Sequence, residues 1–336
     1  MLHAPAPGTR ATSSSDPDTV LDVDDLRVEF ATQQGVVPAV RGVSFTVRRG
    51  EVLGVVGESG CGKSVSCLSL LGLVPRPGRV TGGRAIFAGR DLLAMTAEER
   101  RPLLGSRIGT ILQDPTTSLN PAYTIGNQVA EVLRIHKGMR GEALWDRVCE
   151  LLAQMGIPSP RLRLRDYPHM MSGGMRQRIV AAMDIACNPD LLIADEPTTA
   201  LDVTTSARFL RLLASIRRRH RLGIIFVTHN FDMVRQLCDR IAVMYAGRIV
   251  EMGEADDMLQ RPRHPYTCAL LASIPSVDCK TDRLKVIGGH PPNMREVDAG
   301  CAFRTRCEAA TDVCAGPPPQ HEHTSRHLVE CWHEGR

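Results

Sequence analysis

A lysine and a serine follow a glycine-rich stretch, and this arrangement suits phosphate chemistry. The stretch has the spacing Gly-x4-Gly-Lys-Ser of a phosphate-binding loop, and its residues are Gly57, Glu58, Ser59, Gly60, Cys61, Gly62, Lys63 and Ser64, with Val65 next. Glycines let backbone N–H groups turn toward phosphate oxygens, and the N-terminus of a following helix adds its dipole. We expect Lys63 to contact the β- and γ-phosphates of a nucleotide and the Ser64 hydroxyl to ligate Mg²⁺.

Two adjacent carboxylates end a later apolar run. Asp195 and Glu196 directly follow residues 191–194, which are all apolar. A carboxylate at the carboxyl end of a buried parallel strand faces the crevice where a nucleotide binds. We expect Asp195 to hold Mg²⁺, directly or through water, and Glu196 to polarise the attacking water. The alternative is an acidic turn after a core strand, and the accompanying phosphate-binding loop argues against it.

The elements around these residues predict parallel α/β layers preceded by an antiparallel β element. Alternating polar and apolar residues predict antiparallel strands over 21–47, and the wholly apolar run Val52–Val56 is typical of a strand buried on both faces. Residues 96–178 are mostly helical in pattern. The other predicted elements are helices over 64–74 and 207–219, strands over 191–194 and 223–227, and a hairpin of 241–245 with 248–251.

Residues 171–177 narrow the choice among nucleotide-binding proteins. Their sequence, Met-Ser-Gly-Gly-Met-Arg-Gln, resembles the LSGGQ signature loop of ABC ATPases, with methionines at the first and fifth positions. Ser172, Gly173 and Gly174 are expected to open a helix and so form an anion site. The resemblance implies that this loop closes over the nucleotide of a second chain, so that each site is shared between two subunits.

Other stretches resemble elements of the same family in the expected order. Gln113 resembles the glutamine that senses Mg²⁺ and the γ-phosphate, and Asp202 lies in a loop resembling the one that bridges two ATPase subunits. His229 resembles the switch histidine that contacts the γ-phosphate. Phe30 is the nearest candidate for the aromatic that stacks on adenine, although it could equally be a core residue. The residues to which the resemblance assigns catalysis are Glu196, His229, Gln113 and Lys63.

The resemblance also implies an architecture. An ABC-type P-loop NTPase has a RecA-like parallel sheet core, an antiparallel β subdomain and a helical signature subdomain. For this chain we expect a disordered tail over 1–20, an ABC ATPase nucleotide-binding domain over 21–258, and a small Cys-rich C-terminal extension over 259–336.

Four stretches resemble one branch of the family, the oligopeptide/dipeptide (and nickel) importers: residues 57–60, 113–121, 264–267 and 291–307. The resemblance implies an ATP- and Mg²⁺-dependent ATPase at the cytoplasmic face of the cell membrane. Its partners would be two transmembrane permeases, a second and related ATPase subunit, and an extracytoplasmic peptide-binding protein. The alternatives are an importer of nickel or of glutathione-like peptides, a soluble non-transport ABC ATPase, and an iron–sulfur redox protein that binds nucleotide.

Four cysteines crowd into the last 36 residues: Cys301, Cys307, Cys314 and Cys331. Such a group suggests a metal site in a reducing compartment, although the C-x2-C spacing of common zinc sites is missing. The branch resemblance implies a [4Fe–4S] cluster. Zinc with His321, His323 or His327 and unligated thiols are the alternatives.

The composition is that of an ordinary globular protein and argues against a chain that spans the membrane itself. The chain has 336 residues, of which 43% are hydrophobic and 23% charged, as in ordinary globular proteins. A net charge of +4 does not require nucleic acid or an anionic membrane as a partner. Because no apolar run reaches the roughly 18–20 residues of a membrane span, we expect partner subunits to provide membrane association.

Overall fold

The computed structural model describes residues 16–112, 118–199, 201–274, 286–323 and 327–335. Its strands are β1 (Thr19–Thr32), β2 (Gly35–Arg48), β3 (Val52–Val56), β4 (Gly78–Phe87), β5 (Arg90–Asp91), β6 (Ile108–Ile111), β7 (Leu191–Asp195), β8 (Gly223–Val227), β9 (Arg240–Tyr245), β10 (Arg248–Glu254), β11 (Gln320–His323) and β12 (His327–Glu330). Its α-helices are α1 (Lys63–Leu71), α2 (Ala97–Arg100), α3 (Ile125–Lys137), α4 (Gly141–Gln154), α5 (Pro160–Arg163), α6 (Gly173–Ile185), α7 (Val203–His220), α8 (Phe231–Leu237), α9 (Ala255–Gln260) and α10 (Pro265–Ala272).

The alternating N-terminal residues form the predicted antiparallel sheet, in the order β2-β1-β4-β5. Leu21, Val23, Leu26 and Val28 of β1 are buried, whereas most of the residues between them are not. This alternation buries one face of the strand, so the sheet packs that face on the core. β1 begins at Thr19, inside the last two residues of the predicted tail, and residues 1–15 lie outside the described residues.

The main sheet has eight strands in the order β11-β12-β10-β9-β3-β8-β7-β6. β3 pairs in parallel with both β8 and β9, and β7 pairs in parallel with β8 and β6. All five residues of β3 and of β7 are buried, which explains why both runs are almost wholly apolar. Parallel pairing brings the carboxyl ends of β3, β7 and β8 to one edge, where the phosphate-binding loop and the carboxylates follow them.

Two local features differ from the prediction. The helix after the phosphate-binding loop ends at Leu71 and not at 74, because Gly72 adopts a left-handed conformation (φ 68°) and its N–H caps the helix. The region predicted as mostly helical, 96–178, contains the buried strand β6. β6 has only four residues, too few to show a period, and it exists because β7 supplies a parallel partner.

Helices α3, α4 and α6 pack against one another. Val129 and Leu133 of α3, Val148 of α4 and Ile179 of α6 belong to one buried cluster that also includes Leu192 of β7. The helix that begins just after Ser172 is therefore anchored to the sheet that carries the carboxylates. None of the helices in the described part of the chain combines the length and apolarity that a bilayer crossing requires.

The C-terminal segment, residues 259–336, continues the main sheet through an antiparallel pairing of β12 with β10. His327 lies between two carboxylates, with Nε2 2.7 Å from Glu251 Oε1 and Nδ1 2.9 Å from Asp257 Oδ2. Glu251 is fully buried and also accepts the backbone N–H groups of Arg263 and His264. Its hydrogen bond and that of Asp257 outweigh burial and raise the pKa of His327. His327 thus links the C-terminal hairpin to the core through hydrogen bonds to two carboxylates.

A second buried ion pair joins the start of β9 to the turn before β3. Arg240 Nη1 donates to Glu51 Oε1 at 3.0 Å, and the two side chains are 7% and 9% exposed. Removing one partner of such a pair leaves the other charge buried without compensation, which costs about 3–5 kcal/mol.

We therefore expect Arg240→Met, which keeps a long unbranched side chain and removes its charge, to lower the free energy of unfolding by about 3–5 kcal/mol. Urea denaturation measures the change. The matched control is Arg84→Met, because Arg84 and Asp24 form an ion pair whose side chains are 58% and 50% exposed. Loss of that pair should cost less than about 1 kcal/mol. Equal losses in the two variants would contradict the assignment.

Candidate active site

The phosphate-binding loop fits tightly between β9 and β2. Gly57 and Gly62 have φ angles of 151° and 106°, in the region that favours glycine. A Cβ on Gly57 would overlap the carbonyl oxygen of Met244, and one on Gly62 would lie 2.5 Å from the carbonyl oxygen of Ala39. The two glycines are therefore required both by conformation and by the close approach of neighbouring strands.

Lys63 is the first residue of α1, and its ammonium curls back into the loop. Nζ donates to the carbonyl oxygens of Gly57 and Glu58 at 2.8 and 2.9 Å, and the residue is 6% exposed. The same ammonium lies 3.7 Å from Cys61 Sγ. Burial raises the pKa of the Cys61 thiol although Lys63 opposes the shift, so the thiol stays protonated at neutral pH. The loop thus concentrates one positive charge at its centre.

Ser64 and Asp195 meet at the carboxyl edge of the main sheet. The Ser64 hydroxyl hydrogen-bonds the Asp195 side chain, and Asp195 Oδ1 is buried without a hydrogen-bond partner. Burial raises the pKa of Asp195, and hydrogen bonding to Ser64 and the charge of Lys63 only partly oppose it. A carboxylate oxygen without a partner beside a hydroxyl is the kind of oxygen donor set that Mg²⁺ binds. These residues therefore fit the predicted metal.

Glu196 has an ionised, oriented carboxylate. Its Oε1 lies 3.1 Å from His229 Nδ1, and its Oε2 accepts the hydroxyl of Thr199 at 2.9 Å. Burial raises the pKa of Glu196, but hydrogen bonds from His229 and Thr199 outweigh it, and the net pKa is lowered. Its backbone has φ 47°, and its N–H bonds the carbonyl of Val227 at the end of β8. The neighbouring carboxylates therefore have pKa values shifted in opposite directions.

The structure brings together most of the predicted catalytic residues. Lys63, Asp195, Glu196 and His229 lie at one edge of the main sheet, whereas Gln113 lies outside the described residues. Thr199 was missed as an orienting residue. Its position three residues after Glu196 in a turn is the signal that could have identified it.

The signature residues and Asp202 lie together in a different place. Ser172 caps α6 by accepting the N–H of Met175 at 3.3 Å, as predicted for a residue that opens a helix. Asp202 caps α7 and accepts both the N–H and the hydroxyl of Thr205, at 2.9 and 2.6 Å. A Cβ on Gly174 would lie 2.5 Å from Thr205 Cγ2, so the two helix starts touch.

No hydrogen bond or ion pair among the described residues joins these helix starts to the phosphate-binding loop. Gly173 lies between Ser172 and Gly174 at the first position of α6. The backbone N–H groups at the N-terminus of that helix can therefore bind an anion. An anion held by the phosphate-binding loop of the same chain is not the one they would bind.

Phe30 packs within the antiparallel sheet. Its ring edge lies against Gly78, where a Cβ would be 2.6 Å from Cε1, and its half-buried side chain packs, like that of Val74, against a cluster of buried hydrophobic residues. This contact supports the core interpretation. Stacking of Phe30 on adenine stays a prediction.

The predicted metal site of the four cysteines is not supported. Within the ranges that the structure describes, no group of three or more His, Cys, Asp or Glu side chains is arranged to hold a metal ion. Two of the candidate zinc histidines are engaged elsewhere, because His327 bonds Glu251 and His323 bonds Glu334. Burial, followed by the charges of the other three cysteines, raises the pKa of Cys331 to about 11.

The glycines of the loop provide a direct test of its geometry. We expect Gly62→Ala to weaken binding of Mg²⁺–ATP by at least roughly tenfold more than Gly60→Ala, because a tenfold change needs only about 1.4 kcal/mol. Gly60 also has a positive φ, of 81°, but nothing lies within 4 Å of its Cβ position, so it is the matched control. Equilibrium binding of a fluorescent ATP analogue measures both. Equal affinities would show that the contact with Ala39 is unimportant.

Comparison with known proteins places this geometry in a family. Residues 40–199 match the family model described as "ABC transporter", and residues 250–314 match "Oligopeptide/dipeptide transporter, C-terminal region". The solved ATP-binding cassette MJ0796, described as a dimer bound to ADP and phosphate, has a TM-score of 0.63 at 24% identity and covers 70% of this chain and 98% of its own. The cbiO1 protein of Clostridium perfringens has a TM-score of 0.62 at 25% identity, covering 72% and 91%.

Curated relatives match over almost the whole length. The dipeptide transport ATP-binding protein DppD of Bacillus subtilis is 46% identical over 317 residues, which are 94% of this chain and 95% of the relative. The oligopeptide transport ATP-binding protein OppD of Escherichia coli is 44% identical over 315 residues, 94% of this chain and 93% of the relative. The chain therefore belongs to the ABC transporter family, among the ATP-binding subunits of its oligopeptide/dipeptide branch.

Proposed function

We propose that this chain hydrolyses ATP to energise an importer of dipeptides or oligopeptides. The observation that carries the proposal is the convergence of Lys63, Ser64, Asp195 and the oriented carboxylate of Glu196 at one edge of the parallel sheet. Each group has a defined task in phosphoryl transfer to water, and the family match supplies the transport context.

In the proposed reaction, Lys63 exchanges its carbonyl partners for the β- and γ-phosphate oxygens of ATP. Ser64 and Asp195 would hold Mg²⁺, which when bound would neutralise charge developing on the phosphates. Glu196, ionised because His229 and Thr199 donate to it, accepts a hydrogen bond from the attacking water and aligns it with the γ-phosphate. His229 has a side chain that is 60% exposed and can reach the γ-phosphate from the same side. Gln113 completes the proposed site.

The second part of each proposed site comes from another chain. Ser172, Gly173, Gly174 and Asp202 make no hydrogen bond to the loop of their own chain in the part that the structure describes, yet they surround a helix N-terminus suited to an anion. We therefore place them over the ATP of a partner ATPase subunit. The partner is proposed to be a related chain, so that two ATP molecules are held between two subunits.

The remaining partners follow from the branch. The relatives are described as dipeptide and oligopeptide transport ATP-binding proteins. By this likeness, two transmembrane permeases and an extracytoplasmic peptide-binding protein complete the proposed complex, and the chain is peripheral at the cytoplasmic face. An importer of nickel or of glutathione-like peptides is the second candidate within the same branch. We retain 21–258 as the nucleotide-binding domain and 259–336 as the C-terminal extension.

The iron–sulfur cluster stays a prediction of the sequence. It rests on the branch resemblance and on the number of cysteines in the last 36 residues, whereas their arrangement in the described residues gives it no support. Its proposed role is structural.

Glu196→Gln tests the proposed chemistry. We expect ATP turnover in the assembled complex to fall at least roughly 100-fold, the lower end of what positioned acid–base groups contribute, while ATP binding is retained. Phosphate release and equilibrium ATP binding are measured on the same preparation. Glu98→Gln is the control, because Glu98 is an exposed glutamate of α2 that is not among the proposed site residues, and it should leave turnover unchanged. Undiminished hydrolysis by Glu196→Gln would refute the role of Glu196.

A further inference from the structure

We propose that Arg306 is a positioning residue for ATP binding, supplied by the C-terminal segment, which holds Glu58 and so fixes the conformation of the phosphate-binding loop. This inference rests on the proposed function, because ATP is taken as the ligand of the loop. It assigns to the C-terminal segment a task within the active site.

The ion pair between Arg306 and Glu58 has both hydrogen bonds of a bidentate pair. Nη1 lies 2.7 Å from Oε2 and Nη2 lies 2.9 Å from Oε1, although 248 positions separate the residues in the chain. The Arg306 side chain is 3% exposed and that of Glu58 is 25% exposed. Bidentate arginine–carboxylate pairs fix orientation as well as distance. Glu58 is therefore held in one geometry and not merely attracted.

Contacts other than the one with Glu58 also hold the guanidinium of Arg306 in place. Its Nε donates to the carbonyl oxygen of Gly288 at 2.8 Å, and Nη1 also donates to the Tyr245 hydroxyl at 3.1 Å. Its central carbon lies 5.8 Å from the ring centroid of Tyr245 and 5.9 Å from that of Phe303. Because these contacts come from β9 and from the C-terminal segment, little freedom is left to the arginine when it binds the carboxylate.

The C-terminal segment contacts the backbone of the same loop residue. The N–H of Glu58 donates to the hydroxyl of Tyr266, in α10, at 2.9 Å. Tyr266 is fully buried, and its ring lies 4.5 Å from that of Tyr245 and 5.3 Å from that of Phe303. The rings of Tyr245, Tyr266 and Phe303 thus form a rigid aromatic cluster behind the first turn of the loop.

Glu58 connects this aromatic cluster to the ammonium of Lys63. Its carbonyl oxygen accepts Nζ of Lys63 at 2.9 Å, while its side chain and N–H are held by Arg306 and Tyr266. Movement of Glu58 would therefore displace one of the two loop carbonyls that hold Lys63. An unpaired Glu58 carboxylate would also add negative charge to a loop that must bind phosphates. Both effects weaken ATP binding.

The contacts around Glu58 account for three residues that phosphate binding alone does not require. A glutamate is not needed at the second position of a Gly-x4-Gly-Lys-Ser loop, and neither Tyr266 nor Arg306 is needed to bind phosphate. All three are explained if the C-terminal segment must hold the loop.

The test uses the full chain with four variants: Arg306→Ala, Glu58→Gln, the double variant, and Arg304→Ala. Arg304 is the matched control, because it lies two residues away and pairs with Asp298 at 32% and 52% exposure. Hydrogen exchange of residues 57–62 without nucleotide reports the conformation of the loop. Equilibrium binding of Mg²⁺–ATP reports the functional effect.

Arg306→Ala is expected to accelerate exchange in the loop and to raise the Kd of Mg²⁺–ATP about tenfold, equivalent to about 1.4 kcal/mol. Exchange in β3 and β7 should stay as in the wild type, which a general loss of structure would not allow. The Kd of the double variant for Mg²⁺–ATP should be no higher than that of whichever single variant binds Mg²⁺–ATP more weakly. Arg304→Ala should match the wild type in both measurements.

Unchanged exchange and Kd in Arg306→Ala, or additive effects in the double variant, would overturn the proposal. If Arg306→Ala does not fold, Arg306→Lys replaces it, because lysine keeps the charge and loses the bidentate geometry. A smaller change in the same direction supports the proposal, and wild-type behaviour of that variant overturns it. Failure of the wild type to bind Mg²⁺–ATP would refute the proposed function, while the exchange comparison would still decide whether Arg306 holds the loop.

Discussion

The buried ammonium of Lys63 is the constraint on which the site depends. A charge that is only 6% exposed must have acceptors, and it finds them in the carbonyl oxygens of Gly57 and Glu58. The loop can offer those carbonyls only if it turns tightly, and the turn is possible only because Gly57 and Gly62 lie where carbonyl oxygens of β9 and β2 come close to the loop. The parallel sheet, the antiparallel sheet and the loop are therefore parts of one arrangement around a single charge.

The carboxylates at the end of β7 depend on the same arrangement. Asp195 points into the sheet edge beside Ser64, where burial raises its pKa, whereas Glu196 has turned out through a positive φ to meet His229 and Thr199, where hydrogen bonds lower its pKa. Two identical functional groups thus acquire different tasks from their surroundings. The first suits a metal ligand and the second suits a group that polarises water.

Features set by local spacing could be predicted from the sequence, and features set by distant partners could not. The apolar runs of β3 and β7 and the helix start at Ser172 follow from patterns of a few residues, and they were confirmed. β6 is too short to show a period, so only its pairing with β7 reveals it. The pair of Arg306 and Glu58 joins residues 248 positions apart, and no spacing announces it. For the four cysteines, the count suggested a metal site that the arrangement of the described residues does not support.

The central claim is that ATP binds with its γ-phosphate between Lys63 and Glu196 and with Mg²⁺ at Ser64 and Asp195. The most direct measurement is an experimental structure of the Glu196→Gln variant with Mg²⁺–ATP. It should show Lys63 Nζ moved from the carbonyls of Gly57 and Glu58 to the β- and γ-phosphate oxygens, and Mg²⁺ ligated by Ser64 with Asp195 in its coordination sphere, directly or through water. Nucleotide bound with Lys63 still on those carbonyls, or Mg²⁺ away from Ser64 and Asp195, would contradict the claim.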